Sequence, residues 1–170
     1  MIRISHRHKA IFCHIPKCGG TSVERVLSDW ERIDHTKVGR LAFPDRFIGM
    51  GQYIYDNLPD YFVFTIVRNP YDRYASGLNH VNKYGSRWNK YWAHEHLYAT
   101  QTETLGDLVP DYIMKLENIN KEWNLIRSMF GVGPLPHVNR SRQRVLTDEQ
   151  VTFVNIKYAI DFINFRYDKK

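Results

Sequence analysis

The run Ile11-Phe12-Cys13-His14-Ile15-Pro16-Lys17-Cys18-Gly19-Gly20-Thr21-Ser22-Val23-Glu24 constrains this chain more than any other stretch. It opens with apolar, β-prone residues, continues through a lysine and two glycines, and ends in two hydroxyls ahead of a helical pattern. Glycine lets backbone N–H groups approach a ligand closely. A helix start presents unpaired donors and a partial positive charge. Strand, glycine turn and helix start in that order make a cradle for an anion, most often a phosphate. Lys17 adds a full charge to the cradle, and Thr21 and Ser22 add hydroxyls. The same pattern also reads as an ordinary strand-to-helix turn that uses glycine for its geometry.

A second unit of this kind lies further on. Tyr61–Val67 (YFVFTIV) is β-branched or aromatic throughout and runs into Arg68-Asn69-Pro70. Asn69 suits a helix N-cap and Pro70 the first helical position. Tyr71, Tyr74, Ala75, Leu78 and Val81 then recur along one side of a helix. Two nearly charge-free strands, each feeding a helix, predict parallel strands buried on both faces. The expected fold is α/β, a P-loop-like three-layer arrangement with a central parallel sheet flanked by helices. Arg68 falls at the carboxyl end of its strand, where open α/β sheets bind ligands.

Around these units, residues 1–9 read as an exposed basic lead-in, Ala10–Ile15 as the first strand and Thr21 to about Trp30 as the first helix. Between residues 31 and 60, Gly39, Pro44, Gly49, Gly51 and Pro59 interrupt any long element and leave a short helix near Gln52–Leu58. Helices are predicted over Leu105–Leu116 and over Asn120–Phe130, the latter ending at Gly131. Thr147 and Gln150 spell a capping box for a last helix to about Tyr158. With no repeat, linker or composition break, residues 1–170 read as one domain, long enough to bury a real core.

The net charge of +6 points to an anionic ligand or acceptor. The basic residues are spread along the chain, which argues against nucleic acid; the densest group is Arg140, Arg142 and Arg144. No apolar run reaches the length of a membrane span, and the basic N-terminus lacks the apolar core of a signal peptide. Cys13 and Cys18 are too few for a disulfide framework, so a reduced, cytoplasmic setting is expected. Cys18 reads either as a thiol activated by the helix start and Lys17 or as a small residue that fits the loop. His94 and His96 share a strand face if extended, without a third ligand to make a zinc site. The aromatic stretch 84–98 reads equally as a sugar platform or as cover for the core.

A nucleotide kinase or hydrolase of the P-loop type is one reading of two such units. Against it, a Walker A motif places lysine after the glycines, whereas Lys17 precedes Gly19 and Gly20. The second strand ends in Arg68 rather than in a magnesium-binding aspartate. Two cationic sites without an acidic metal ligand suit a phosphorylated ligand bound without metal.

Four ordered blocks carry a resemblance to a known family. Pro16-Lys17-Cys18-Gly19-Gly20-Thr21-Ser22 resembles the 5′-phosphosulfate loop of the sulfotransferases that use 3′-phosphoadenosine 5′-phosphosulfate (PAPS). Phe64 to Ser76 resembles their 3′-phosphate-binding strand and helix. Leu116-Glu117-Asn118-Ile119 and Pro136-His137-Val138-Asn139-Arg140-Ser141-Arg142 resemble later blocks of the carbohydrate branch, of the heparan and chondroitin type. The resemblance implies transfer of a sulfuryl group from PAPS to an acceptor hydroxyl, on a carbohydrate. It implies that Gly19, Gly20, Thr21 and Ser22 hold the 5′-phosphate and that Lys17 neutralises the bridging oxygen. It further implies that Arg68 and Ser76 clamp the 3′-phosphate while Asn139, Ser141 and Arg142 close over the nucleotide. A catalytic base is expected between the two phosphate motifs. Where many relatives carry a histidine this chain reads Gly49-Met50-Gly51-Gln52, which leaves His35 as the expected base, with His80 and Glu24 next. A non-catalytic binder of nucleotide or anionic glycan stays open as an alternative.

Overall fold

The computed structural model describes residues 2–33, 50–84, 98–136 and 144–170. Within them, five strands form one sheet in the order β3-β1-β2-β4-β5. Strands β2 (Ala10–Cys13), β4 (Phe62–Val67) and β5 (Tyr112–Lys115) run parallel, with Phe12 opposite Phe64 and Val67 opposite Lys115. All three therefore deliver the chain to the same edge. β2 and β4 are the parallel strands the sequence predicts, and the sheet as a whole is mixed. β2 is buried along its whole length and β4 at all but its first residue, as strands with a layer on each face must be.

Three strands depart from expectation, one of them Glu31–Ile33, which falls in a stretch expected to hold only loops and a short helix. Ile2–Ser5 is not an exposed lead-in but β1, antiparallel to β2 and to β3 (Glu31–Ile33). Its alternation of Ile2 and Ile4 with Arg3 is a strand pattern only four residues long. Apart from Arg3, the basic residues of the lead-in fall in the tight turn between Ser5 and Ala10, where Lys9 takes a positive φ of 46°. The last departure is β5, which occupies part of the helix expected over Leu105–Leu116. Asp111, next to Pro110, clamps the strand entry: its N–H donates to the Val63 carbonyl at 2.8 Å, and its carboxylate accepts from the Val63 N–H at 2.7 Å. Pairing with β4 overrides the local helical spacing.

The helices are α1 (Gly20–Val26), α2 (Met50–Asn57), α3 (Pro70–Tyr84), α4 (Gln101–Leu105), α5 (Ile119–Phe130), α6 (Asp148–Lys157) and α7 (Ala159–Asn164). The expected caps are present. Asn69 accepts from the Tyr71 N–H at 3.0 Å to start α3. Gly131 ends α5 at φ 64°, and Thr147 with Gln150 forms the box before α6. Thr100 and Glu103 form a second capping box that starts α4. α1 stops short of the expected Trp30, because the chain turns after Leu27 into β3.

The core is aromatic at its centre. Phe64 is fully buried, with its ring 5.4 Å from Phe12 and within 6.4 Å of Trp30, Trp123 and Phe130. Truncating such a ring costs about 3–5 kcal/mol. A second cluster of Tyr71, Tyr74, Val154, Tyr158 and Phe162 fastens α3 to α6 and α7. The carboxyl ends of β2 and β4 are thus held rigidly from both sides, and the candidate site lies just beyond them.

Candidate active site

β2 ends at Cys13, and residues 14–19 carry the chain over the sheet edge into α1. Lys17 adopts φ 69° and Gly19 φ 80°. A left-handed non-glycine residue costs about 1–2 kcal/mol and persists only where its surroundings hold it. Here the holding comes from the second unit. The Arg68 guanidinium donates through Nη1 to the Lys17 carbonyl at 3.4 Å, and Arg73 donates through Nε to the Pro16 carbonyl at 3.1 Å. Arg73 is 1% exposed, and its Nη1 donates to the Ala99 carbonyl at 2.7 Å. Its Nη2 has no hydrogen-bond partner among the described residues.

Both loop glycines sit where a side chain has no room. A methyl group on Gly20 would stand 2.0 Å from Cδ2 of the His14 ring, and one on Gly19 2.7 Å from Leu116. The His14 ring is itself fixed, since Nδ1 lies 2.8 Å from the Glu24 carboxylate and the ring stacks on Phe12. Burial alone would raise the Glu24 carboxyl. The hydrogen bond and charge of His14 outweigh it and hold Glu24 below the usual carboxylate range. His14 is therefore a packed and paired strand residue, and Glu24, committed to it, is a poor proton acceptor.

Positive charge converges here. Burial, reinforced by the charges of Arg68 and Arg73, pulls the Lys17 ammonium down to about 8. A buried lysine with depressed proton affinity beside two arginines makes a site shaped to receive an anion. No side-chain cap closes the amino end of α1, where Thr21 is exposed and Ser22 half-buried. His80, one turn beyond Ser76 on α3, also lies in the field of Lys17. Burial, then the charges of Lys17 and Lys83, lower it to about 4, so it is neutral at neutral pH. Ser76 is 5% exposed in the same helix.

The structure thus places Lys17 and Gly19 in the loop and Gly20, Thr21 and Ser22 in the first turn of α1, and brings Arg68 against that loop. His35, Asn139, Ser141 and Arg142 lie outside the described residues, as do His94 and His96. Cys18 is buried, and burial pushes its thiol up to about 12 against the pull of Arg73 and Arg68; it is a packing residue, not an activated nucleophile.

Four supporting residues have roles the sequence does not assign, although Arg73 and Glu117 fall within the blocks that carry the resemblance. Gln101 bonds to both backbone groups of Arg68, and Asp161 caps the start of α4. Arg73 holds the loop as described. Glu117 accepts from the Asn69 N–H at 2.6 Å and from the Tyr167 hydroxyl at 2.9 Å, which fixes the entry to α3. For Gln101, the Thr100–Glu103 capping pattern beside it is the local signal.

Comparison with known proteins agrees with this geometry. Residues 1–107 match the model of the sulfotransferase family, and the chain belongs to that family. Among curated proteins it is similar to carbohydrate sulfotransferase 10 of Rattus norvegicus, 30% identical over 142 residues that cover 72% of this chain and 39% of the relative. The Homo sapiens protein of the same name is 30% identical over 145 residues, with the same two coverages. The Xenopus laevis protein is 30% identical over 107 residues, covering 55% of this chain and 29% of the relative. The chain thus spans about two fifths of the length of the curated relatives it matches. No solved structure gives a significant match. Among the described residues, no helix is long and apolar enough to cross a membrane.

Proposed function

We propose that this chain transfers a sulfuryl group from PAPS to a hydroxyl of a carbohydrate acceptor. The observation that carries the reading is the convergence of Lys17, Arg68 and Arg73 on one strained loop at the carboxyl edge of a parallel sheet, in a member of the sulfotransferase family. PAPS supplies the sulfuryl group already bonded to a phosphate leaving group. The loop residues Gly19, Gly20, Thr21 and Ser22 would hold the 5′-phosphate, and Arg68 with Ser76 would hold the 3′-phosphate. Asn139, Ser141 and Arg142 are proposed to cover the nucleotide. Lys17 places its charge where the departing phosphate gathers negative charge, the kind of stabilisation that dominates group transfer. The acceptor oxygen bonds to sulfur as the sulfur–phosphate oxygen bond breaks, and the hydroxyl proton passes to a base.

His35 is proposed as that base from its place between the two phosphate motifs. His80 is the second reading, favoured by its neutral ring in the field of Lys17. His35→Ala and His80→Ala, each assayed for transfer and for binding of 3′-phosphoadenosine 5′-phosphate (PAP), separate them. The base variant loses about 10²–10⁴-fold in turnover with PAP binding intact. The reading as a whole is tested by thermal shift with PAP, ATP and AMP. PAP at 100 times its dissociation constant should add about 2.7 kcal/mol. Magnesium-dependent ATP turnover without PAP binding would favour a kinase or hydrolase, and PAP binding without transfer to any acceptor a non-catalytic binder.

A further inference from the structure

Gln101 is fully buried, carries no charge and lies far from both phosphate motifs in the chain, yet its side chain touches both. Its Oε1 accepts from the Arg68 N–H at 2.8 Å and from the Cys18 thiol at 3.2 Å, so the two segments share one acceptor oxygen. Its Nε2 donates to the Arg68 carbonyl at 2.9 Å. The amide thus exchanges two hydrogen bonds with the Arg68 backbone, one residue past the point where β4 stops pairing with β5 at Val67–Lys115. A side chain continues the ladder that the strand has left.

Gln101 is in turn fixed from the C-terminal helices. Asp161, also fully buried, accepts from the Gln101 N–H at 2.8 Å and from the Thr102 N–H and hydroxyl, both at 2.9 Å. Its Oδ2 stands 3.4 Å from Gln101 Nε2. The buried carboxylate is compensated by the donors at the start of α4.

We infer that Gln101, seated by Asp161, is the positioning residue that sets the spacing between the Lys17 loop and Arg68, and through it the preference for a nucleotide phosphorylated at both the 3′ and 5′ positions. The inference rests on the nucleotide reading above. A ligand that engages two sites at once gains from both only if their separation matches its own, and loses the gain when the spacing drifts. A ligand with one phosphate is indifferent to that spacing. Gln101 contacts no ligand group in this scheme; it acts through Cys18 and Arg68.

The test uses the full chain and two substitutions, Gln101→Met, near in shape but without the amide, and Asp161→Asn, which keeps Gln101 and removes the charge that seats it. Calorimetry compares PAP, AMP and adenosine 3′-phosphate. The expected result for Gln101→Met is a PAP dissociation constant raised about ten-fold or more, with each monophosphate changed by less than about two-fold. Asp161→Asn should move the same ratio in the same direction by less. Equal weakening of all three ligands, or no change in the ratio, overturns the inference. A second arm needs no nucleotide: alkylation of Cys18, located by mass spectrometry, should speed up in Gln101→Met, where the thiol loses its shared acceptor. It should speed up by less in Asp161→Asn, where that acceptor is less firmly seated. Cys13, buried on β2, serves as the internal reference. If the unsubstituted chain binds no PAP, the nucleotide reading fails on its own. Cys18 labelling then still decides whether Gln101 ties loop to strand, and an unchanged rate overturns that tie.

Discussion

The two strand-to-helix turns at the sheet edge reach similar ends by opposite means. The β2–α1 turn takes its form from its own backbone, although Arg68 and Arg73 of the second unit brace its carbonyls. Its left-handed residues Lys17 and Gly19 are sequence neighbours, and the ring that forbids a side chain on Gly20 belongs to His14 in the same turn. The β4–α3 turn has ordinary chemistry of its own, an asparagine cap and a proline, and is positioned from outside by Gln101 and Glu117. A turn built on special backbone conformations announces itself in glycines. A turn held by distant hydrogen bonds looks like any helix start.

The sharpest way to break the comparison is at Lys17. If the inner turn carries the chemistry, Lys17→Ala should lower transfer by about 100-fold or more with a smaller loss of PAP affinity. A loss in affinity alone would make Lys17 a clamp like Arg68 and erase the functional difference between the turns. Arg68→Ala should weaken PAP by about 1.5–3 kcal/mol and leave AMP nearly unchanged by calorimetry. A parallel loss for both nucleotides would mean that Arg68 serves the loop, through the Lys17 carbonyl, more than the 3′-phosphate.

Gly20→Ala tests how far the His14 ring shapes the turn. The new methyl must displace the His14 ring from Glu24, at a cost of about 1–3 kcal/mol in thermal or denaturant unfolding. Adding His14→Ala should return most of that loss, because the opposing ring is gone. Failure of the double variant to recover would place the constraint outside the turn.

The smallest expected effect is that of pH. Lys17 in the free protein titrates near 8, below its ordinary 10.5, because burial and then the Arg68 charge oppose the proton. As pH rises through 8 the loop loses its charge, so an anion must recapture a proton to bind and PAP affinity should fall between about pH 7 and 9.5, with proton uptake visible in buffers of different ionisation enthalpy. Stability of the free chain moves the other way. Between 8 and 10.5 the unfolded state holds more protons than the folded one, so the Lys17 contribution to stability rises across that window. A flat affinity profile would mean that the loop charge does not contribute to binding.

The sequence shows the inner turn almost completely, since Lys17, Gly19, Gly20, Thr21 and Ser22 lie within six residues and their spacing has a local mechanism. It shows that Arg68 ends a buried strand, because YFVFTIV admits few other readings. It conceals β1, whose four residues are too short for a period to stand out, and β5, whose identity depends on Asp111 pairing with Val63 across the sheet. It conceals Gln101, Glu117 and Asp161 for a related reason: a buried polar residue is recognisable only by partners that no local window contains. The fold is legible where strands are long and buried, and the site where its chemistry lies within one turn.

The outer strands have a consequence for association between copies. A row of unpaired backbone groups on an edge strand is a template for further strands. In the sheet of the described residues, β3 offers only Glu31–Ile33, with Glu31 and Arg32 exposed and charged. On the other side, the Lys115 N–H at the end of β5 donates to the Glu122 carboxylate of α5 at 2.8 Å. One edge is short and charged, and the other has a donor already taken by its own helix. Neither is a ready nucleus for edge-to-edge growth, and a substitution such as Glu122→Ala, remote from any nucleotide, should first be noticed as a tendency to aggregate.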